Sequence, residues 1–278
     1  MNSFLKLSLY LVHIVFLADF IASYAYGAPT KSKISLDDED AMRIGKMIWK
    51  NECGGTISGL TMWNPGEEFP SLGIGHFIWY PVGYEGPFDE SFPKLIAFMK
   101  EEGVEVPQWL VDQVEKKGGS PWLSRDAFEK SKDGSEMTQL RLFLKETIPV
   151  QARYTARRSE QALGKITKGL SPQRTRRVRD QFYRVAGHPH GIYALVDYVN
   201  FKGEGIRESE RYAGKGWGLL QVLEEMKGEE EGLAALDAFA DAAIFVLNRR
   251  IQNSDPKRGE KRWKLGWENR CNSYRVSK

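Results

Sequence analysis

The sequence predicts an α+β fold that is predominantly α-helical, with one small antiparallel hairpin or sheet near its N-terminal end. Three observations predict it. Apolar residues recur at helical spacing through most of the chain after Phe88. The segment 56–81 instead mixes β-branched, aromatic and Gly residues around a strong turn signal, Asn64-Pro65-Gly66. The composition, 41% hydrophobic and 28% charged over 278 residues, is that of a globular chain able to bury a sizeable core. It excludes disorder, collagen-like repeats and a disulfide-dense miniprotein. Forty Lys and Arg against 37 Asp and Glu leave a net charge of +3, too small to mark the whole chain as a nucleic-acid or membrane-surface binder. Any such partner would have to use a local patch.

Residues 1–27 read as a cleaved secretory signal. Lys6 precedes the apolar stretch 7–16, and Ala25-Tyr26-Gly27 offers small residues at a cleavage site. Asp19 interrupts the apolar run, which argues against a membrane anchor. The expected mature domain is 28–278, periplasmic or secreted, with no stable membrane insertion. Ser35 and Asp38 form a capping-box pattern, and acidic residues 37–39 suit a helix N-terminus; the helix should run to about Glu52 and stop at Gly54-Gly55. A hairpin follows at 56–81. Helical patterns then occupy 89–100, 107–116, 135–147, 150–168, 172–185, 192–201, 218–227 and 232–251.

Between Gln151 and His190 there are 10 Lys and Arg and 2 acids, a local charge of +8. Such runs are usually solvated helix faces, and most of Arg174, Arg176, Arg177 and Arg179 are read so. The alternative is attraction for an anionic polymer. Nucleic acid is not expected as a partner of an exported chain.

Two cysteines, Cys53 and Cys271, would meet an oxidising compartment, where they could form one disulfide or remain two free thiols. No metal site and no cofactor is expected, because the 4 His and 2 Cys show no metal-ligand spacing. The sharpest single residue is Glu52. Ala41, Ile44 and Ile48 share one helix face, and Glu52 continues that stripe to the helix end. The helix dipole and partial burial both disfavour charge there, as a general acid requires. The alternative is a Glu that turns into solvent at a frayed end.

After Glu52 the chain runs Thr61-Met62-Trp63-Asn64-Pro65-Gly66-Glu67-Glu68-Phe69-Pro70-Ser71-Leu72-Gly73-Ile74-Gly75-His76. A helix ending in Glu, then a hairpin with a Ser-Leu-Gly-Ile-Gly-His strand, resembles the active-site segment of phage-type lysozymes and the lysozyme-like superfamily. The resemblance implies a lysozyme-like fold with Glu52 as general acid. Ser71 would stand at the place of a water-positioning Thr, with Gly73, Gly75 and His76 on the strand. The interval between Glu52 and His76 is longer than in that family, so the second carboxylate is either Glu68 or Glu67, with Asn64 as a water-positioning amide. His76 is read as a hydrogen-bonding structural residue near substrate. A weaker likeness places Asn200 on a segment after a central helix. Trp217 and Gln221, in a Gly-rich stretch, are read either as a cleft wall for sugar or as a packed helix start. The 8 Trp and 12% aromatic content suit a sugar cleft.

These readings imply a muramidase-like glycoside hydrolase that cleaves β-1,4-linked amino-sugar polymer, with peptidoglycan the expected partner. A lytic transglycosylase using Glu52 alone and a non-catalytic cell-wall binding protein are the alternatives.

Overall fold

The computed structural model describes residues 34–276. The expected signal at 1–27 lies outside the described residues. The rest is predominantly helical, with a small antiparallel sheet, as the periodicities predict.

Helix α1, Asp38–Cys53, opens on Asp37. The Asp37 carboxylate accepts the Asp40 backbone N–H at 2.8 Å, so Asp37 and not the expected Ser35 is the cap. Three further acids in the first turn complement the helix dipole. The helix stops where foreseen: Gly54 turns left-handed at φ 63, and its N–H donates to Trp49 O. Strands β1 (Thr61–Met62), β2 (Ser71–Leu72) and β3 (Phe77–Ile78) form an antiparallel meander. Their register sorts two rows by face. Thr61, Leu72 and Phe77 form one fully buried row, whereas Met62, Ser71 and Ile78 form the other, with Met62 exposed.

The helical remainder comprises α2 (Phe92–Glu101), α3 (Gln108–Asp112), α4 (Arg125–Lys130), α5 (Ser135–Glu146), α6 (Ile148–Thr167), α7 (Pro172–Ala186) and α8 (Pro189–Lys202). A second hairpin, β4 (Arg211–Tyr212) with β5 (Lys215–Gly216), precedes α9 (Leu219–Glu225), α10 (Leu233–Asn253) and α11 (Lys264–Asn272). The pattern at 107–116 holds as α3 followed by a wide π turn, Gln113–Lys117, ended by left-handed Gly118. Helices α4 and α11 were not foreseen. One is six residues long and the other nine, and α11 buries little but Cys271, so neither shows a clear apolar stripe.

Helix α1 lies against α6 and α8, and α10 packs on α9 and α11. Gly45 permits the α1–α6 crossing. A Cβ there would sit 2.4 Å from Ile148 Cγ2 and 3.1 Å from its carbonyl oxygen, so the two backbones could not approach this closely with any other residue. Among the described residues no helix is long and apolar enough to cross a membrane.

Candidate active site

Asn51, Glu52 and Cys53 close α1, and each reaches a different part of the fold. Asn51 donates its amide N–H to the Tyr193 hydroxyl on α8. The Glu52 side chain is 19% exposed and meets two partners: His76 Nδ1 lies 3.7 Å from Oε2, and Arg270 Nη2 donates to Oε1 at 3.4 Å. Cys53 Sγ lies 3.5 Å from Gly73 O and 3.7 Å from His76 Nε2. Glu52 therefore ends a buried stripe of Ala41, Ile44 and Ile48, as the sequence predicts, and is held at the surface rather than frayed into it. The Arg270 cation beside it was not foreseen.

The turn that presents His76 is built by two uncommon backbone choices. Gly73 is left-handed at φ 70, and a Cβ there would lie 2.4 Å from Gln151 Oε1. His76 itself adopts φ 48, a conformation that non-glycine residues seldom take. Buried Gln151 at the start of α6 pins this turn. Its carbonyl accepts the Ile74 N–H at 2.9 Å, while its amide donates to Leu144 O at 2.6 Å and to Thr147 Oγ1 at 3.2 Å. The α5–α6 corner thus fixes the Gly-Ile-Gly-His turn, which in turn fixes His76 against Glu52.

Arg270 on α11 joins the site to α8. Its Nε donates to Asp197 Oδ2 at 2.8 Å and its Nη2 to Oδ1 at 2.7 Å. The Tyr274 hydroxyl donates to Oδ2 at 2.7 Å. The guanidinium lies over the Phe201 ring, 4.5 Å from its centroid. Hydrogen bonds to Asp197 are the main reason its acidity is pushed even lower than that of a free guanidinium. Asp197 is almost fully buried and fully engaged, so it anchors Arg270 and is not a free base. Asp197 did leave a signal in the sequence, as the one charge inside the apolar run 192–199. Arg270, 218 residues from Glu52, left none.

Cys53 beside His76 resembles a nucleophile and its base, but the chemistry runs the other way. Burial, reinforced by the neighbouring Glu52 charge, pushes the Cys53 thiol up to about 12, so it stays protonated at neutral pH. Cys271 is likewise pushed up to about 12 by burial. Both cysteines are free thiols, which corrects the disulfide reading. Cys53 faces the β2–β3 turn, while Cys271 sits in the core near Tyr198 and Lys202. Among the described residues no group of three or more His, Cys, Asp or Glu is arranged to hold a metal ion.

The hairpin carboxylates belong to the β1–β2 connection. Glu67 N–H donates to Asn64 O at 3.2 Å, closing the expected Asn-Pro-Gly turn, and the Asn64 amide donates to Glu67 Oε2 at 3.1 Å. The Trp63 indole N–H donates to Glu67 O at 2.7 Å, and Arg125 on α4 holds Trp63 O at 2.9 Å. Asn64 and Glu67 are thus brought together, with exposed Glu68 beside them, in the β1–β2 connection. His76 belongs to the β2–β3 connection, which leaves β2 at its other end. Ser71 is buried on β2 in the row of Met62 and Ile78.

Asn200 is exposed on α8, three residues beyond Asp197. Trp217 and Gln221 have internal partners. The Trp217 ring packs 4.4 Å from that of Tyr212 and lies under the Arg250 guanidinium at 4.0 Å. Gln221 Oε1 accepts the Gly218 N–H at 3.0 Å, and its Nε2 donates to Gly205 O at 3.1 Å. Of the two readings of this pair, their contacts describe the packed helix start.

The basic block on α7 presents exposed arginines, as its sequence predicts, but Arg174 and Arg177 there have protein partners. Arg174 places two N–H groups on Glu224 Oε1 at 2.9 and 2.6 Å. Arg177 donates to Glu224 O and Met226 O, which caps the carbonyl end of α9. Arg184 donates to the carbonyls of Lys227, Gly228 and Glu230 at 3.0, 2.7 and 2.6 Å. In comparisons with known proteins, no family model matches the chain, and neither a curated protein nor a solved structure shows significant similarity to it.

Proposed function

We propose that this chain is a lysozyme-like glycoside hydrolase that cleaves β-1,4-linked amino-sugar polymer, peptidoglycan, outside the cytoplasm. The observation that carries the reading is the placement of Glu52: a partly exposed carboxyl at the end of α1, held between His76 of the Gly-Ile-Gly-His turn and Arg270 of α11. In this reading Glu52 gives its proton to the glycosidic oxygen as the bond to the anomeric carbon breaks. His76 and Arg270 hold the carboxyl in one orientation, and Arg270 offers a cation to the carboxylate left after transfer. Glu67 or Glu68 would activate water or stabilise the developing positive charge, with Asn64 positioning the water; Ser71, buried on β2, is left out of that role. Asn200 would contact sugar from α8. No cofactor enters this chemistry.

A second reading, a lytic transglycosylase, is favoured by one observation: Glu67 and Glu68 sit in the β1–β2 connection, which enters β2 at the end opposite the His76 turn. That reaction needs Glu52 alone, because a hydroxyl of the substrate sugar attacks in place of water.

The test is incubation of the mature protein and its Glu52→Gln variant with purified peptidoglycan, with fragments identified by mass spectrometry. Reducing-end muropeptides from the unaltered protein alone support hydrolysis, and anhydro-sugar ends support the transglycosylase. Binding without products from either protein would sink both enzyme readings and leave a wall-binding protein.

A further inference from the structure

We propose that residues 255–265 form a docking surface for an anionic phospholipid bilayer. The segment runs from the end of α10 into α11 and carries Lys257, Arg258, Lys261, Arg262 and Lys264 against Asp255 and Glu260. Its net charge of +3 equals that of the entire chain, so the remainder is neutral as a whole.

The fold buries one of the two acids and leaves the cations exposed. Glu260 is buried, where its carboxylate accepts two N–H bonds from Arg250, both at 2.8 Å, and the Tyr212 hydroxyl at 2.9 Å. Asp255 accepts the Lys257 backbone N–H at 2.9 Å and so caps the short turn Pro256–Arg258. Left-handed Gly259, at φ 62, reverses the chain between these two anchors. All five cations are exposed; Lys264 lies 3.5 Å from Glu268 Oε1 and Arg258 rides over the Tyr212 ring at 5.2 Å, whereas among the described residues neither Lys257 nor Lys261 has an acidic partner. Arg250 holds Glu260 from α10, so the segment is tied to the core at its centre rather than swinging free.

Between the cations stand two large apolar side chains. Trp263 is 53% exposed and Leu265 is 69% exposed, and the Arg262 guanidinium rides over the Trp263 ring at 5.3 Å. An acidic glycan or an acidic protein surface would satisfy the cations but leave Leu265 in contact with water. An anionic bilayer satisfies both, because phosphates meet the Lys and Arg heads, the indole rests at headgroup depth and Leu265 enters the acyl boundary. This is attachment to a surface and is compatible with the lack of a membrane-crossing helix among the described residues. The inference rests on no part of the glycan-cleaving reading.

The test is sedimentation of the full chain with vesicles of phosphatidylcholine alone or mixed with phosphatidylglycerol, over a series of salt concentrations. Binding is expected only with phosphatidylglycerol present, and it should weaken as salt rises. Lys257→Gln with Lys261→Gln should weaken it about thirtyfold, two surface cations being removed. Leu265→Ser should weaken it without changing the salt dependence. Lys145→Gln with Lys165→Gln, on α5 and α6, should leave it unchanged. Thermal unfolding of each variant establishes that it is folded. Failure of the unaltered protein to sediment with phosphatidylglycerol vesicles overturns the inference, as does insensitivity to the Lys257 and Lys261 changes. Capture by peptidoglycan that depends on those lysines, with no capture by vesicles, assigns the patch to the wall instead.

Discussion

Arg270 grips Asp197 through two nearly parallel hydrogen bonds, 2.8 Å from Nε and 2.7 Å from Nη2, and the same Nη2 also reaches Glu52 at 3.4 Å. One guanidinium thus serves a buried carboxylate on α8 and a partly exposed one on α1. The arrangement makes α11 a strap that closes on both helices. Arg270→Ala should cost about 3–5 kcal/mol, because Asp197 would stay buried without its cation. Arg270→Lys should be intermediate, keeping the charge but losing the fork. Urea unfolding measures both. A loss below about 1 kcal/mol for Arg270→Ala would mean that the strap does not hold the helices.

The turn carrying His76 depends on Gln151. Gln151→Leu should cost about 1–3 kcal/mol by leaving the buried Ile74 N–H without its acceptor. Gly73→Ala should also destabilise, since the left-handed backbone and the 2.4 Å approach of Gln151 Oε1 leave no room for a methyl group. If Glu52 acts as proposed, both variants should lose turnover beyond their loss of folded protein. Unaltered activity per folded molecule would separate the turn from the chemistry.

Thiol titration should find no rapidly reacting cysteine in the native protein at pH 8 and two after unfolding. Both thiols are free and buried, with their pKa values pushed up to about 12. A count of zero after unfolding without reductant would restore the disulfide.

Lys202 connects pH to stability. Its ammonium lies 3.5 Å from the Trp267 ring centroid and 3.9 Å from that of Phe201, and burial, with Arg250 nearby, lowers its pKa to about 7 from an ordinary 10.5. Between those two values the unfolded chain holds a proton that the folded chain has released, so stability from this group rises with pH. The penalty is fully present below about pH 7 and is gone above 10.5. Lys202→Met should therefore be the more stable protein at pH 6, and its advantage should shrink towards pH 10. Melting temperatures across that range measure the difference, which removes the titration of cysteines and tyrosines common to both proteins. A constant gap would contradict the assigned shift.

The sequence by itself determined most of the elements. Local rules sufficed wherever a pattern repeats over several turns: α5, α6, α7 and α10 begin and end within two residues of their periodicities. Glycine alone stops α1, because only Gly54 can take the left-handed turn cheaply there. Glu52 was legible for the same reason, as an acid ending an apolar stripe, and His76 only through the resemblance of its Gly-Ile-Gly-His segment to phage-type lysozymes.

Only the tertiary structure decided the partners. The sequence contains no sign that Arg270 meets Glu52 or that Gln151 holds the turn before His76, since contacts across the fold depend on how helices pack and not on local spacing. The α7 arginines show the same limit. Their spacing defines a basic face, but the docking of α9 supplies Glu224 and the bare carbonyls that engage Arg174 and Arg177. Cys53 and Cys271 could have paired by every local criterion. Packing turned one to the β2–β3 turn and the other into the core, because a disulfide needs facing Cβ vectors that only the folded chain can provide.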